Sequence, residues 1–226
     1  MKVTTIVSLL LTGIGATVIA TSAPASAVSF SFNNISGGDP VGDAFAKDFS
    51  FDVTDNGSGT VLFKFLNNAS STQALKQVAF SVDNSVPGIL SNIALNVGNS
   101  GIVDFELSTK NLSQSNNIPG WDGTTFGAET NGGNSNAVQP GESLGITFTG
   151  NYNAVLAAIN AGTLKLGIHV GSLPNDASDS YVNGVPTSST SVPEPSNLFG
   201  VGLAFGIATW FKANNDKKSK QVKFKA

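Results

Sequence analysis

The chain has 226 residues, no cysteine, one histidine and, since all twelve basic residues are lysine, no arginine. Without cysteine there is no disulfide, thiolate nucleophile or cysteine-ligated zinc. Between Val28 and Thr190 five lysines stand against thirteen acids, a net charge of −8 that repels phosphate backbones and argues against nucleic-acid binding.

The N-terminal stretch reads as an export signal. Lys2 precedes the apolar run "IVSLLLTGIGATVIA", and "TSAPASA" follows with the small-x-small pattern at Ala25 and Ala27. This grammar predicts a secretory signal peptide over residues 1–27, removed by signal peptidase after Ala27.

From Val28 the pattern has period two. In "AFAKDFSFDVT" the odd positions carry Phe45, Phe49, Phe51 and Val53, and the even ones Ala46, Asp48, Ser50 and Asp52. That alternation predicts a strand with one buried face. "TDNGSG" is a turn by composition, and "TVLFKFL" resumes the period, which makes a hairpin. "VAFSVD", "IALNV", "IVDFELS", "LGITFTG" and "TLKLGIHV" read as further strands, and another is expected near residues 124–129 inside a long loop-rich segment. "NYNAVLAAINAG" breaks the rule. Tyr152, Val155, Leu156 and Ile159 fall at helical spacing, Asn151 or Asn153 can cap the start and Gly162 can end it, so one helix is predicted over 153–161.

The expectation is an all-β chain: one antiparallel β-sandwich over residues 28–185 with a single short helix. Its core is expected to hold Phe30, Phe32, Phe49, Phe51, Phe63, Phe65, Phe80, Phe105, Phe148 and Ile168. Residues 186–191 form a Ser/Thr/Pro spacer.

Few residues in this domain carry recognisable chemistry. His169 is placed on the strand face opposite Leu166, Ile168 and Val170, with no second histidine to build a triad or metal site. Asp104 and Glu106 share one face of a strand at i and i+2, about 7 Å apart, near the separation of a glycosidase carboxylate pair. Alternating acids are also the ordinary pattern of a wet sheet face, and that reading is preferred. The loop at Asp52–Gly59, and Asp176 with Asp179, offer calcium-type oxygens, but each reads better as a tight turn, and no cofactor is implied. Trp121 and Tyr181 are candidate sugar-stacking aromatics; a loop-pinning role is the alternative for Trp121.

The C-terminal stretch has three ordered parts. Val192, Pro193, Glu194 and Pro195 form an extended tetrapeptide. Residues 198–211 are apolar or small and would make a hydrophobic helix of about 21 Å, short of a ~30 Å hydrocarbon core. Residues 212–226 form a lysine-rich tail. On its own this reads as a short membrane anchor with the lysines on the cytoplasmic side. Together, over residues 192–226, the parts resemble the PEP-CTERM sorting signal of exopolysaccharide-producing diderm bacteria. The resemblance implies an exosortase, a membrane protease that cuts near the motif, with a transient stay in the inner membrane and an end point at the cell surface or extracellular matrix. The family favours a compact arginine cluster after the helix, whereas here the basic end is a diffuse run of lysines. Just upstream, "AAINAGTLKLGIHVGSLPNDASDSYVN" is similar to the close of a passenger domain common in such proteins, which implies a β-rich surface passenger without known catalytic residues.

These readings combine into an exported, non-catalytic surface or matrix protein that associates with exopolysaccharide. The rival readings are a hydrolase using Asp104 and Glu106, and a self-assembling subunit held by a simple anchor.

Overall fold

The computed structural model describes residues 27–188. The signal segment with Ala25, the spacer beyond Ser188, the motif at 192–195, the apolar run at 198–211 and the lysine tail lie outside the described residues.

Ten strands build the fold: β1 (Ala27–Asn34), β2 (Phe49–Asp55), β3 (Thr60–Asn67), β4 (Ala74–Val82), β5 (Ser91–Ala94), β6 (Phe105–Leu107), β7 (Phe126–Thr130), β8 (Ser143–Thr149), β9 (Leu164–Gly171) and β10 (Asp179–Ser188). One α-helix, α1 (Tyr152–Ala161), joins β8 to β9. The strands form a single antiparallel sheet in the order β5-β8-β3-β2-β1-β10-β9-β4-β7-β6. The two layers expected of a sandwich are therefore halves of one continuous sheet that curls back on itself.

The β2–β3 hairpin shows how the sequence makes its strands. Phe49, Phe51 and Val53 are buried and alternate with half-exposed Ser50, Asp52 and Thr54. Phe51 pairs with Phe65 and Val53 with Phe63 across the ladder. The turn is made by Asp55, whose carboxylate accepts from the Gly57 N–H at 2.9 Å, and by Gly57 and Gly59 at positive φ. The alternation begins later than the sequence pattern suggests. Asp43–Asp48 form a 3₁₀ turn, so Phe45 is a half-buried turn residue and the strand opens at Phe49.

Aromatic contacts show the curl. Phe63 of β3 meets Phe80 of β4 at 5.2 Å, although these strands stand five places apart in the sheet order. Phe126 of β7 and Phe148 of β8, seven places apart, meet at 5.3 Å. All ten expected core residues are buried. Each phenylalanine removed from water contributes about 1.5–3 kcal/mol, which makes this cluster the main driving force of the fold.

The connection between β5 and β6 closes the curled sheet. The Val97 N–H donates to the Gly145 carbonyl at 2.9 Å and Ser100 pairs with Ser143, so this segment first runs along β8. It then crosses to the other edge, where Asp104 exchanges backbone bonds with Asn136 and Asn131 before β6 pairs with β7. Gly145 permits the approach: a Cβ there would lie 1.8 Å from the Val97 carbonyl oxygen.

The helix forms as its caps dictate. The Asn151 side chain accepts from the Ala154 N–H at 3.0 Å, and Gly162 closes the helix at φ 70°. Val155, Ala158 and Ile159 are buried, which seals one end of the curled sheet. No described helix is long and apolar enough to cross a membrane. The last strand continues to Ser188, three residues beyond Val185, and so takes in the first residues of the spacer.

Candidate functional site

The sequence-derived candidates separate in space. Asp104 and Glu106 flank Phe105 at the edge strand β6. The Asp104 carboxylate is occupied: Oδ1 accepts from Asn96 Nδ2 at 3.0 Å and Oδ2 from Asn131 Nδ2 at 3.1 Å. Asn96 in turn bonds both backbone groups of Phe105. Asp104 therefore fastens the closing segment. Glu106 is exposed and stands across from Glu129, whose carboxylate is paired with Lys110.

Tyr181 is not a surface platform. Its ring is fully buried beside Phe49, and its hydroxyl donates to the Gly42 carbonyl at 2.8 Å. The reason is register. Tyr181 pairs with Ile168, a core residue, and so points inward. Burial raises its pKa well above the ordinary tyrosine value, with help from Asp179, Asp43 and Asp48. Of the tight turn expected at Asp176 and Asp179, a 3₁₀ turn is present at Pro174–Asp176, but Asp179 and Ser180 already belong to β10.

Trp121 lies on the other side of the sheet, so the two aromatics cannot act together. Its ring is half-buried and packs on a small cluster of Ile35, Ala79, Leu112 and Ile118 with Val182. This cluster anchors residues 108–125 as a strap across β4, β9 and β10. Gly167 makes room for it: a Cβ there would stand 2.3 Å from Leu112 Cδ2 and 3.3 Å from the Trp121 ring. Asp122 N–H donates to Ser81 Oγ at 3.2 Å and Lys165 Nζ to the Gly120 carbonyl at 2.9 Å, which tie down the end of the strap. The loop-pinning reading of Trp121 is what the packing supports.

His169 faces the strap side, as its strand position predicts. Its Nδ1 shares a hydrogen bond with Ser180 Oγ at 3.0 Å. Burial lowers its pKa, Lys76 adds to the shift, and Asp179 opposes it. Lys76 is close because it lies over Gly171, where a Cβ would stand 2.6 Å from Nζ.

Two clefts open between these features. The larger, about 370 Å³, lies between the strap, the end of α1 and β10. Its polar lining comes from Asn33, Asn160, Lys165 and Asn183, over Ile118 and Val182. Asn183 is held in place because its Oδ1 accepts from the Leu166 N–H at 2.9 Å. A wall of amides and one ammonium over an apolar floor can hydrogen-bond several hydroxyls at once. The smaller, about 250 Å³, runs beside β6 and is lined by Ile93, Leu107 and Phe126 among others.

A third feature involves Asp179, which the sequence offered with Asp176 as a source of calcium-type oxygens but whose partners it did not reveal. Asp179 is fully buried, with Oδ1 accepting from Gln114 Nε2 at 3.0 Å and from the Ser180 N–H at 2.9 Å. Desolvation raises its pKa above the usual carboxylate value, against these hydrogen bonds. The residues around it come from segments far apart in sequence, so only the fold brings them together. Among the described residues no group of three His, Cys, Asp or Glu side chains is assembled as a metal site.

No protein-family model matches this chain, and no curated protein matches it. Among solved structures, a chain reported under "pH-induced modulation of Streptococcus parasanguinis adhesion by Fap1 fimbriae" superposes with a TM-score of 0.40 at 11% identity, covering 75% of this chain and 99% of that one.

Proposed function

We propose that this chain is an exported surface or matrix protein that an exosortase-type protease sorts through its C-terminal signal. We further propose that its β domain works by binding exopolysaccharide and not by catalysis. The observation that carries the reading is the ordered array at the C-terminus: Val192-Pro193-Glu194-Pro195, the apolar run at 198–211 and the lysine tail, behind a Ser/Thr/Pro spacer. The architecture is compatible with losing that tail, because the described buried core draws its side chains from Phe30 to Tyr181. Against a hydrolase stands the use of Asp104 as a fastener, with both carboxylate oxygens held by asparagine amides. The amide-lined cleft beside Lys165 is the surface on which a sugar chain would lie.

Mass spectrometry of the mature protein tests the sorting. The expected mass lacks residues 1–27 and the lysine tail, and Glu194→Ala leaves the tailed form in the inner membrane. Retention of the C-terminal lysines in the mature wild type would leave a simple anchor in place of sorting.

One observation favours a second reading, self-assembly. Leu107 at the edge strand β6 is 65% exposed and Ile102 just before it 76%, beside the smaller apolar cleft. Exposed apolar residues clustered beside an apolar cleft invite packing against another copy. Sedimentation of wild type against Leu107→Lys separates the two: a mass that falls with the substitution supports assembly.

A further inference from the structure

Asp179, Asn34, Gln114 and Asp43 meet where the loop after β1 folds over the start of β10. Asn34 Nδ2 donates to Asp43 Oδ1 at 2.7 Å, and Gln114 Nε2 donates to Asp179 Oδ1 at 3.0 Å. Gly42, directly before Asp43, joins the two pairs. A Cβ on Gly42 would stand 2.4 Å from Asp179 Oδ2, and its carbonyl accepts from the Tyr181 hydroxyl. Asn34 is in register with Tyr181 on the neighbouring strand, two residues from Asp179.

Each amide has turned its NH₂ to a carboxylate, which leaves its oxygen without a partner. Asn34 Oδ1, Gln114 Oε1 and Asp179 Oδ2 are all buried and unpartnered. They are the only acceptor-only side-chain oxygens left so among the described residues; the other such atoms are hydroxyls and an indole N–H elsewhere. Flipping either amide would set an oxygen against a carboxylate, so rotation does not relieve the cluster. A buried orphan oxygen is costly, and three in one cluster, one of them on a carboxylate and with a second carboxylate bonded to Asn34, call for a positive ligand.

We infer that Asn34, Asp43, Gln114 and Asp179 form a calcium site that pins the β1 loop to the first residues of β10. The donors are all oxygen, which selects a hard cation and excludes a zinc or copper preference. Two carboxylates supply the charge for a divalent ion. Two amide oxygens beside two carboxylates suit the irregular six-to-eight-fold shell of Ca²⁺ better than the strict octahedron of Mg²⁺. Asp179 is fully buried, with its Oδ2 unpartnered where it packs on Gly42, and the two buried, unpartnered amide oxygens of Asn34 and Gln114 are a sign independent of the acidic pair.

The test uses full-length protein stripped of metal by a chelator. Calorimetry with CaCl₂ alone at pH 7 is expected to give one ion per chain, with affinity near the 10⁻⁴–10⁻³ M of extracellular modules (about that order). The melting temperature should rise with Ca²⁺ and little with Mg²⁺. Tb³⁺ emission, sensitised by the adjacent Tyr181, should appear and be displaced by Ca²⁺. Asp43→Asn keeps the bulk of the side chain and should weaken Ca²⁺ by about tenfold or more while the metal-free protein still folds. Gln114→Ala, which removes an amide oxygen and no charge, should do the same. No heat and no melting shift up to about 10 mM Ca²⁺, well above that affinity range, would overturn the site. So would Ca²⁺ titrations of Asp43→Asn identical to wild type.

Discussion

The Tyr181 hydroxyl donates to the Gly42 carbonyl across 2.8 Å, from a ring with no exposed surface. This bond ties the loop after β1 to the last strand, and it replaces the water that each polar group has lost. Tyr181→Phe keeps the ring packing against Phe49 and removes only the donor. The Gly42 carbonyl is then left unpaired, at a cost of about 1–2 kcal/mol. Urea unfolding should show that loss with an unchanged m-value, and retention on exopolysaccharide should be unaffected.

Asp104 should behave as a fastener. Asp104→Ala removes the acceptor of two exposed asparagine amides, Asn96 and Asn131, and should cost about 0.5–1.5 kcal/mol. Glu106→Ala removes an exposed acid opposite Glu129 and should be neutral or slightly stabilising. A hydrolase would respond differently: both substitutions would abolish sugar release from the host polysaccharide and leave stability similar. Thermal melts of the two variants, with product analysis, decide this.

Much of the fold was readable because it is local. Period two identified the faces of β2, β3, β8 and β9, and the expected core phenylalanines all point inward. The caps of α1 were readable for the same reason, since Asn151 and Gly162 act within one helical turn. Neighbour relations were not readable. Nothing in the pattern says that β10 lies between β1 and β9, or that Phe126 meets Phe148. The strap was hidden because Leu112, Ile118 and Trp121 are isolated apolar residues in polar sequence, with no period to mark them. Tyr181 was misplaced because the loop-like composition of "PNDASDS" concealed a strand start at Asp179, which fixes the inward register of Tyr181. The surroundings of Asp179 were not readable because Gln114, 65 residues away in sequence, bonds it and Gly42 packs on it, contacts that only the folded chain supplies.

Stability should fall on mild acidification, and His169 should be a named part of the slope. Burial, then Lys76, lowers its folded pKa below the usual 6.5, against Asp179. The unfolded chain therefore binds the proton more readily, so stability rises with pH from the folded pKa to about 6.5 and is lost on the way down. Asp179 has the opposite sign. Its raised folded pKa means the fold holds its proton longer, so its contribution favours acid and fades as pH rises through that pKa. Urea midpoints between about pH 7.5 and 5 should drop for wild type. His169→Gln, which can still bond Ser180 Oγ, should flatten the drop. An unchanged slope in His169→Gln would remove the histidine from the account.

The last prediction concerns Trp121, where packing and sugar stacking make opposite demands. In a Trp210→Phe background Trp121 is the sole indole reporter. Half-buried against Leu112 and Ile118, it should emit to the blue of a solvated indole and stay there when exopolysaccharide is added. Gly167→Ala places a methyl 2.3 Å from Leu112 Cδ2, and the backbone of β9 cannot yield because it is paired on both sides by β10 and β4. Leu112, and with it the strap that it anchors, is the part that gives way. The expected cost is about 1–3 kcal/mol, the usual range for overpacking. Trp121 emission should then move to the red while the far-ultraviolet β signal is kept, since the phenylalanine core is on the opposite face of the sheet. An indole already red-emitting in the wild type, and shifted by added polysaccharide, would make Trp121 a sugar platform and leave the strap without its anchor.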